Sequence, residues 1–210
     1  MGPDPDAALM VAFQAGDERA FRTLFAKHGR AMVSFCNHFV HDAARAEELA
    51  QDVFLKVHAA SRRYRPTARF KTFLYRIASN HCLNELRRGE HVERRAAEQA
   101  DALRGEARPP PGADDLPGRG ATPEEDAAGR ALAAAVEALL ARLPEKQRAA
   151  FVLARFEGLS YDEVAEVLDT TVAAVKSLVH RATVAAAAAL APYTTAGTEE
   201  VGPCSTPRTT

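Results

Sequence analysis

A proline- and glycine-rich stretch between residues 89 and 121 divides the chain into two parts and limits the folds open to its 210 residues. The stretch has few large apolar side chains, a composition typical of a linker. It contains Arg108-Pro109-Pro110-Pro111-Gly112 and Leu116-Pro117-Gly118-Arg119-Gly120. On both sides, apolar residues recur at the three- and four-residue spacing of amphipathic helices, and we find no strand pattern. The sequence therefore predicts an all-α fold of two small helical domains joined by a flexible linker.

The first part, residues 1–88, is predicted to be helical almost throughout from residue 7. Asp17 and Asp42 each precede an apolar stripe and have the side chain of a good N-cap. The pair Arg65-Pro66 interrupts the pattern, because proline disfavours a helical conformation in the residue before it. A third helix then begins near Arg69 and ends near Gly89. The predicted core positions are Phe21, Leu24, Phe25, His28, Met32, Phe35, Phe39, Ala46, Leu49, Ala50, Val53, Phe54, Val57, Phe70, Phe73, Leu74, Ile77 and Ala78.

The second part, residues 122–192, opens with a helix capping box, Thr122-Pro123-Glu124-Glu125. A helix runs from there to about Arg142, and another includes Phe151. A second capping box, Ser160-Tyr161-Asp162-Glu163, precedes a short helix. After a tight turn, residues 172–190 form a last helix that Pro192 stops. The tail, residues 193–210, is rich in Thr, Gly and Pro, and we expect it to be disordered.

The segment from Ser160 to Arg181 has the pattern of a helix-turn-helix, in which the first helix braces a second that enters the major groove of DNA. The turn is Asp169-Thr170-Thr171. The pattern alone also fits an ordinary helical hairpin within a bundle, since few cations are present. One face of the second helix presents Lys176, Ser177, His180 and Arg181, while Val164, Ala165, Leu168, Val175 and Val179 would hold the two helices together.

A local excess of positive charge is hidden by a net charge of −1. Residues 61–95 contain 10 basic and 3 acidic side chains, interleaved with aromatic rings. Cations neutralise phosphates and rings can hold unstacked bases, so this stretch favours nucleic acid. The alternative is a solvated arginine-rich surface with Phe70 and Phe73 in the core. Tyr64 and Tyr75, which keep a polar end, are better candidates for contact than the phenylalanines.

Signatures of enzymes and of exported proteins are absent from the sequence. There is no Gly-rich phosphate loop, His-Glu-x-x-His or Gly-x-Ser-x-Gly motif, so we expect no catalysis and no cofactor. Cys36, His38 and His41 make only a weak metal site without a fourth ligand. Dispersed cysteines at 36, 82 and 204 indicate free thiols in a reducing cytoplasm. The start lacks a signal peptide, and no apolar run approaches the roughly 18 residues of a membrane span.

A third feature is a mostly polar helix face opposite the second apolar stripe. Its residues are Glu47, Glu48, Gln51, Asp52 and Leu55. On the residues alone, a solvated helix face is the default interpretation.

Two motifs in order make the chain resemble bacterial sigma factors of the extracytoplasmic-function group, within the sigma-70 family. Region two of that group is resembled by residues 70–80 (FKTFLYRIASN), 83–88 (LNELRR) and 46–54 (AEELAQDVF). Region four is resembled by Leu143-Pro144, residues 156–165 (FEGLSYDEVA) and residues 175–182 (VKSLVHRA). The two matches cover about residues 9–88 and 124–191.

The resemblance implies a factor that binds core RNA polymerase and directs promoter-specific initiation. It places Glu48, Gln51, Asp52 and Leu55 on the surface that docks on the coiled coil of the polymerase beta-prime clamp. It implies that the loop from Tyr64 to Arg69 holds a flipped base of the minus-ten element. Contacts to that element are assigned to Tyr64, Arg65, Arg69, Lys71, Tyr75, Arg76, Asn80 and Arg87. Contacts to the minus-thirty-five element are assigned to Thr171, Lys176, Ser177, His180 and Arg181. An anti-sigma factor is a further implied partner.

The chain departs from the family at four positions. The family usually has tryptophan at Phe73 and often an acidic residue at Asn84. Its recognition helix usually has arginine at Leu178 and a basic residue at Thr183. Two missing cations weaken phosphate anchoring, so we expect weaker or different upstream contacts.

Two hypotheses from other classes remain open at this point. One is a sigma-like decoy that sequesters an anti-sigma factor without binding DNA, although the basic residues of 62–88 argue against it. The other is an all-helical enzyme or structural bundle, which the missing site motifs disfavour.

Overall fold

The computed structural model describes residues 4–101 and 123–194, with side chains placed for 4–89 and 129–193. The described ranges fold into α-helices and one short 3-10 turn, Ser61–Arg63, and they contain no strand, which confirms the all-α prediction. The first module comprises α1 (Pro5–Gln14), α2 (Glu18–Val40), α3 (Ala43–Ala60) and α4 (Phe70–Asp101). The second module comprises α5 (Pro123–Arg142), α6 (Glu145–Arg155), α7 (Tyr161–Val167) and α8 (Val172–Thr194).

Aspartate caps begin the first three helices. The carboxylates of Asp4, Asp17 and Asp42 each accept a hydrogen bond from a backbone N–H of the first turn, which satisfies a donor that the helix itself leaves unpaired. The predicted caps at Asp17 and Asp42 are therefore confirmed. Between α2 and α3, His41 has a φ of 52°, so that a single left-handed residue reverses the chain.

Helix α4 is longer than predicted. The expected end was Gly89, but the helix continues to Asp101, so residues 89–101 of the predicted linker are helical. A glycine within a helix costs only about 1 kcal/mol relative to alanine, and the glutamates, arginines and alanines that follow are strong helix formers. The remainder of the predicted linker, with Thr122 of the first capping box, lies outside the described residues.

The second module begins and turns where the sequence predicts. Helix α5 has Pro123 at its first position and ends at Arg142. Ser160 and Glu163 form the reciprocal hydrogen bonds of a capping box at α7. Helix α8 differs, because it includes Pro192 and ends at Thr194. A proline in the last turn removes only one hydrogen bond from a helix that an alanine run stabilises. Of the predicted tail, residues 195–210 lie outside the described range.

The apolar stripes pack as expected with one exception. Nearly all predicted core residues of the first module are buried or half-buried, including Leu24, Phe35, Phe39, Val53 and Phe70. The hairpin residues Val164, Ala165, Val175 and Val179 are buried together in the second module. The exception is Phe25, whose residue surface is 47% exposed. Leu24 and Phe25 are adjacent and point about 100° apart, so one helix contact cannot bury both.

The two modules pack against each other in this structure. Helix α4 contacts α6 and α7, and α2 contacts α5 and α6. The guanidinium of Arg148 on α6 is buried at this junction, where it donates to the carbonyl of Phe39 at 3.1 Å and of Ala141 at 3.0 Å. The rings of His38 and Phe156 meet with their centroids 4.8 Å apart. Burial lowers the pKa of His38, and the charge of His41 adds to the effect, so this contact favours the neutral form of the ring.

One helix of the described residues is long and apolar enough to cross a membrane on length and mean hydropathy alone, the segment Val172–Tyr193 of α8. The segment includes Lys176 and Arg181, and it packs against α5, α6 and α7 as the last helix of the second module.

Candidate nucleic-acid interface

Several cations that the sequence assigns to nucleic-acid binding lie on α4 or directly before it, on one side of the first module. Arg69, Lys71, Arg76 and Arg87 form what we call the basic face. The side chains of Arg69, Arg76 and Arg87 are about half exposed, at 56%, 46% and 53%. Arg65 and Asn80 are also exposed, and Arg65 donates to the carbonyl of Tyr64 at 3.2 Å. The structure therefore brings these predicted residues together along the loop and helix.

Acidic side chains of the second module cover the basic face. Arg76 donates to the carboxylate of Glu166 at 2.9 Å and to its backbone carbonyl at 3.0 Å. The guanidinium of Arg69 lies 3.6 Å from Glu163, and that of Arg87 lies 3.3 Å from Glu145. These carboxylates occupy the positions at which a phosphate would pair with the same guanidinium groups. They come from α6 and α7.

Tyr75 and Lys71 both form hydrogen bonds with Glu157, which lies two residues after the end of α6. The hydroxyl of Tyr75 donates to the Glu157 carboxylate, and the Lys71 ammonium donates to the Glu157 backbone carbonyl. Only 1% of Tyr75 is exposed, and its ring lies edge-on to Phe35 at 5.0 Å. Burial raises the pKa of Tyr75, and the hydrogen bond to Glu157 adds to the shift. Burial also raises the pKa of Glu157. The tyrosine ring therefore does not reach solvent in this arrangement.

Tyr64 is buried within the first module itself. It is 3% exposed, with its ring 4.9 Å from that of Phe73 and 6.3 Å from that of Phe70. Among the described residues its hydroxyl has no hydrogen-bond partner. Burial raises the pKa of Tyr64 to about 12, helped by the charges of Asp4 and Asp6. Tyr64, which the sequence favours as a contact residue because it keeps a polar end, is therefore buried in this structure against Phe70 and Phe73.

The helix-turn-helix is formed by α7, a turn and α8. Asp169 has a φ of 48° in the turn, and the Thr171 hydroxyl accepts from the Ala174 amide at 3.2 Å. The four polar residues assigned to the recognition face are all exposed on α8. Two of them interact with each other, since Arg181 donates to the Ser177 hydroxyl at 3.2 Å. These residues are Lys176, Ser177, His180 and Arg181.

The polar face of α3 adjoins an apolar groove between α2 and α3. Glu48, Gln51, Asp52 and Leu55 are all exposed, and Leu55 is 68% exposed. Glu48 pairs with Arg45 at 2.6 Å, and Asp52 lies 3.3 Å from His81. The groove has a volume of about 300 Å³ beside Leu55. Its lining, which we call the aromatic groove, consists of Phe21, Phe25, Phe54, Leu55, Gln51 and His58.

Sequence reasoning missed several of these residues. It placed Phe25 in the core, and it assigned no partner to the acidic residues of α6 and α7. The adjacent apolar pair Leu24-Phe25 was a signal for the first, because one of the two must turn away from the core. Nothing local to Glu157 or Glu166 indicates a contact with a helix some 80 to 90 residues earlier.

Cys36, the cysteine of the weak metal hypothesis with His38 and His41, is buried with its sulfur 3.7 Å from that of Cys82. Among the described residues no group of three or more His, Cys, Asp or Glu side chains could hold a metal ion.

Known proteins resemble the chain over both modules. The family model of Sigma-70 region 2 matches residues 24–92, and that of Sigma-70, region 4 matches residues 133–184. The RNA polymerase sigma-H factor of Pseudomonas aeruginosa is 34% identical over 192 residues, 90% of this chain and 95% of that protein. The ECF RNA polymerase sigma-E factor of Escherichia coli K12 is 30% identical over 182 residues, 84% of this chain and 90% of that protein.

Two solved structures share the fold. CnrH in complex with the cytosolic domain of CnrY superposes with a TM-score of 0.65 at 25% identity, covering 90% of this chain and 99% of that one. The sigma factor RpoE in complex with the anti-sigma factor NepR from Bartonella quintana superposes with a TM-score of 0.61 at 22% identity, covering 81% and 96%. With helical regions two and four in the family's order and relatives that span nearly its full length, the chain belongs to the extracytoplasmic-function group of sigma-70 RNA polymerase sigma factors.

Proposed function

We propose that this sigma factor recognises and melts the minus-ten element with the loop 64–69 and the basic face. The supporting observation is the set of carboxylates that now pair with Arg69, Arg76 and Arg87. A surface that attracts several carboxylates has the charge and spacing to attract a phosphate backbone. The family's function, promoter-directed initiation with core RNA polymerase, agrees with this assignment.

Melting requires that an unstacked base be held, because flipping it costs a few kcal/mol that new contacts must offset. The exposed loop residues Arg65 and Arg69 flank the position for such a base. The rings of Tyr64 and Phe70 are buried against the half-buried Phe73 and support the loop from within the module. The loop therefore combines cations for the backbone with a packed aromatic support. Asn80 and Arg87 would extend the contact along α4, and Tyr75 and Lys71 would join it once Glu157 moves away.

The packed arrangement of the two modules excludes this contact, since the same side chains cannot pair with carboxylates and with DNA. We therefore propose that the second module leaves α4 before promoter binding. The three arginines of the ion pairs across the junction are about half exposed, while Glu145 and Glu163 are each 22% exposed. Ion pairs at such exposed positions contribute only about 0.2–1 kcal/mol each. The buried contacts of Arg148 and Tyr75 must break as well. Binding to polymerase can supply enough free energy to part them.

The α3 face and the aromatic groove would dock on the polymerase clamp coiled coil. Glu48, Gln51 and Asp52 supply charge and hydrogen-bonding groups around exposed Leu55 and Phe25. A mixed rim of this kind around an apolar centre is the usual anatomy of a protein interface. Region four would contact the minus-thirty-five element through Thr171, Lys176, Ser177, His180 and Arg181. Leu178 and Thr183 supply no cations there, so this contact is expected to be weak.

Sigma factors are initiation factors, and we propose that this chain has no catalytic activity of its own and acts in the cytoplasm, where polymerase supplies the chemistry. We also propose regulation by an anti-sigma factor, as the family resemblance implies. The solved complex of CnrH with the cytosolic domain of CnrY agrees with regulation by a bound protein. The decoy alternative, which never binds DNA, would leave the basic face only its packing role against the second module.

Run-off transcription with core polymerase on a genomic library tests the function, and two matched variants test the site. Arg76→Ala should reduce open-complex formation about tenfold while polymerase binding changes less than twofold, since Arg76 lies on the basic face. Arg88→Ala removes an arginine three turns along the same helix, at 76% exposure, and should change neither. Equal loss of polymerase binding and open-complex formation in Arg76→Ala would contradict the assignment. A wild-type chain that binds polymerase but opens no promoter would favour the decoy.

A further inference from the structure

Helix α1 is attached to both ends of the loop that we assign to base capture. It precedes residue 24, where the match to region two begins, so the family model gives it no role. The helix is ten residues long, and its two ends contact the two ends of the segment 61–70.

At its N-terminal end, one carboxylate caps two helices. Asp4 Oδ1 accepts from the Asp6 amide at 3.0 Å, which is the N-cap bond of α1. Asp4 Oδ2 accepts from the Phe70 amide at 2.7 Å, and Phe70 is the first residue of α4. The first amides of a helix have no partner within it, and the helix dipole favours an anion there. Asp4 therefore fixes the point at which the loop enters α4.

At its C-terminal end, a side-chain amide holds the start of the loop. Gln14 Nε2 donates to the carbonyl of Ser61 at 2.7 Å and to that of Tyr64 at 3.0 Å. Both acceptors are backbone carbonyls, so the nitrogen of the amide must face them. The two hydrogen bonds attach both the short 3-10 turn and the first residue of the loop to the end of α1.

Between these two attachments, α1 is fixed to α2. Asp6 is 8% exposed and accepts from the Lys27 ammonium at 2.6 Å, with the His28 ring nitrogen 2.9 Å away. Met10 and Phe13 are buried against the first module. The His28 ring in turn lies 5.5 Å from Phe70. Helix α1 is thus held against the first module by an ion pair and by buried apolar side chains.

We infer that Asp4 and Gln14 are positioning residues that hold the loop 64–69 at the width and orientation needed to receive an unstacked base. A loop with fixed ends loses less conformational entropy on binding than a free loop, so preorganisation appears as affinity for the flipped base. The inference rests on the proposed role of the loop in capturing a minus-ten base.

The experiment uses holoenzyme assembled from the full chain and core polymerase, with a promoter fragment that carries 2-aminopurine in the non-template strand of the minus-ten element. Fluorescence of that base reports its unstacking. Gln14→Ala and Asp4→Ala should each lower the equilibrium constant for base flipping at least about fivefold, with a larger loss in the double variant. Each substitution removes two hydrogen bonds, and the net loss of even one has an effect of about this size.

Conservative variants separate positioning from general stability. Gln14→Glu has the same size but places a carboxylate, which cannot donate, against two carbonyl oxygens, so it should be at least as defective as Gln14→Ala. Asp4→Asn keeps an acceptor oxygen and should recover part of the signal. Val11→Ala alters an exposed residue of the same helix, 44% exposed, and should behave as wild type.

Polymerase binding and the thermal unfolding midpoint are measured for every variant, and the fluorescence is normalised to assembled holoenzyme. Normal assembly with reduced flipping in the Asp4 and Gln14 variants supports the inference. Flipping equal to wild type in Gln14→Glu and Asp4→Ala, or a loss that merely parallels reduced assembly, overturns it. A wild-type holoenzyme that shows no unstacking at any minus-ten position would instead overturn the proposed role of the loop.

Discussion

Tyr64 lies under the loop that precedes α4, with its hydroxyl buried and without a hydrogen-bond partner among the described residues. A buried polar group left unpaired costs about 1–3 kcal/mol. We therefore expect Tyr64→Phe to leave the free energy of unfolding unchanged or to raise it by up to about 1 kcal/mol. Promoter melting should stay within about twofold of wild type, because the buried ring keeps its packing against Phe70 and Phe73 and still supports the loop.

Urea unfolding measures the first quantity and permanganate reactivity of melted thymines the second. Tyr64→Ala serves as the comparison, since loss of a buried aromatic ring costs about 3–5 kcal/mol. A Tyr64→Phe variant of normal stability but impaired melting would show that the hydroxyl contacts DNA after all.

Glu157 is a second residue whose burial allows a prediction, here the pH dependence of packing between the two modules. Its carboxylate accepts from Tyr75 within the module junction, and burial raises its pKa above the ordinary value of 4.5 while Lys71 opposes the shift. The packed form therefore binds the proton more tightly than the parted form. Packing is favoured below pH 4.5 and weakens as the pH rises through the raised pKa, because ionisation is easier once the carboxyl is in water.

The packed fraction can be followed by energy transfer between one dye on each module, in low-salt buffer from pH 4 to pH 7. Glu163 acts in the opposite sense, because burial is outweighed by its hydrogen bonds with Ser160 and by the charge of Arg69, which lower its pKa. Glu157→Gln keeps an acceptor for the Tyr75 hydroxyl but cannot ionise. Wild type should therefore lose packing relative to Glu157→Gln as the pH rises. Parallel curves for the two proteins would show that another group controls the pH response.

At the scale of elements, the sequence predicted most helix starts because starts are local. Asp17, Asp42 and the capping box of Ser160 and Glu163 satisfy donors within three residues of themselves. Helix ends were less predictable. The sequence predicts helix stops at Gly89 and Pro192, yet each residue destabilises a helix only to an extent that strong helix formers nearby can offset.

The residues of the candidate site also fall into two groups, those that a local pattern predicts and those that it does not. The cations of α4 and the polar residues of α8 follow from periodicity within one helix, so the sequence predicted them as groups. The attachments of α1 to the loop and of Glu166 to Arg76 join residues 47 to 90 positions apart. No local pattern encodes such pairs, because they depend on how finished helices pack together. The structure was needed to show which cations are covered and which loop ends are held.

For the whole molecule, the junction between modules makes access to DNA depend on an equilibrium between packed and parted forms. The pair of Arg76 with Glu166 is suited to probing it, because each side chain is about half exposed and both lie at the edge of the junction. An exposed pair of this kind contributes about 0.2–1 kcal/mol, which corresponds to a change in the packed-to-parted ratio of up to about fivefold.

A charge exchange separates the role of Arg76 in packing from its role on DNA. Glu166→Arg places two cations together, so it should shift the equilibrium towards the parted form and, at low salt, increase promoter opening by up to about fivefold. Arg76→Glu should part the modules equally but abolish the gain, because a carboxylate on the basic face repels phosphate. The double variant restores an opposite-charge pair, so packing should recover while promoter opening stays low.

Energy transfer between the modules and single-round transcription measure the two properties on the same proteins. Equal promoter opening in Glu166→Arg and Arg76→Glu would show that Arg76 matters for packing alone, whereas a double variant that remains parted would show that this pair does not hold the junction.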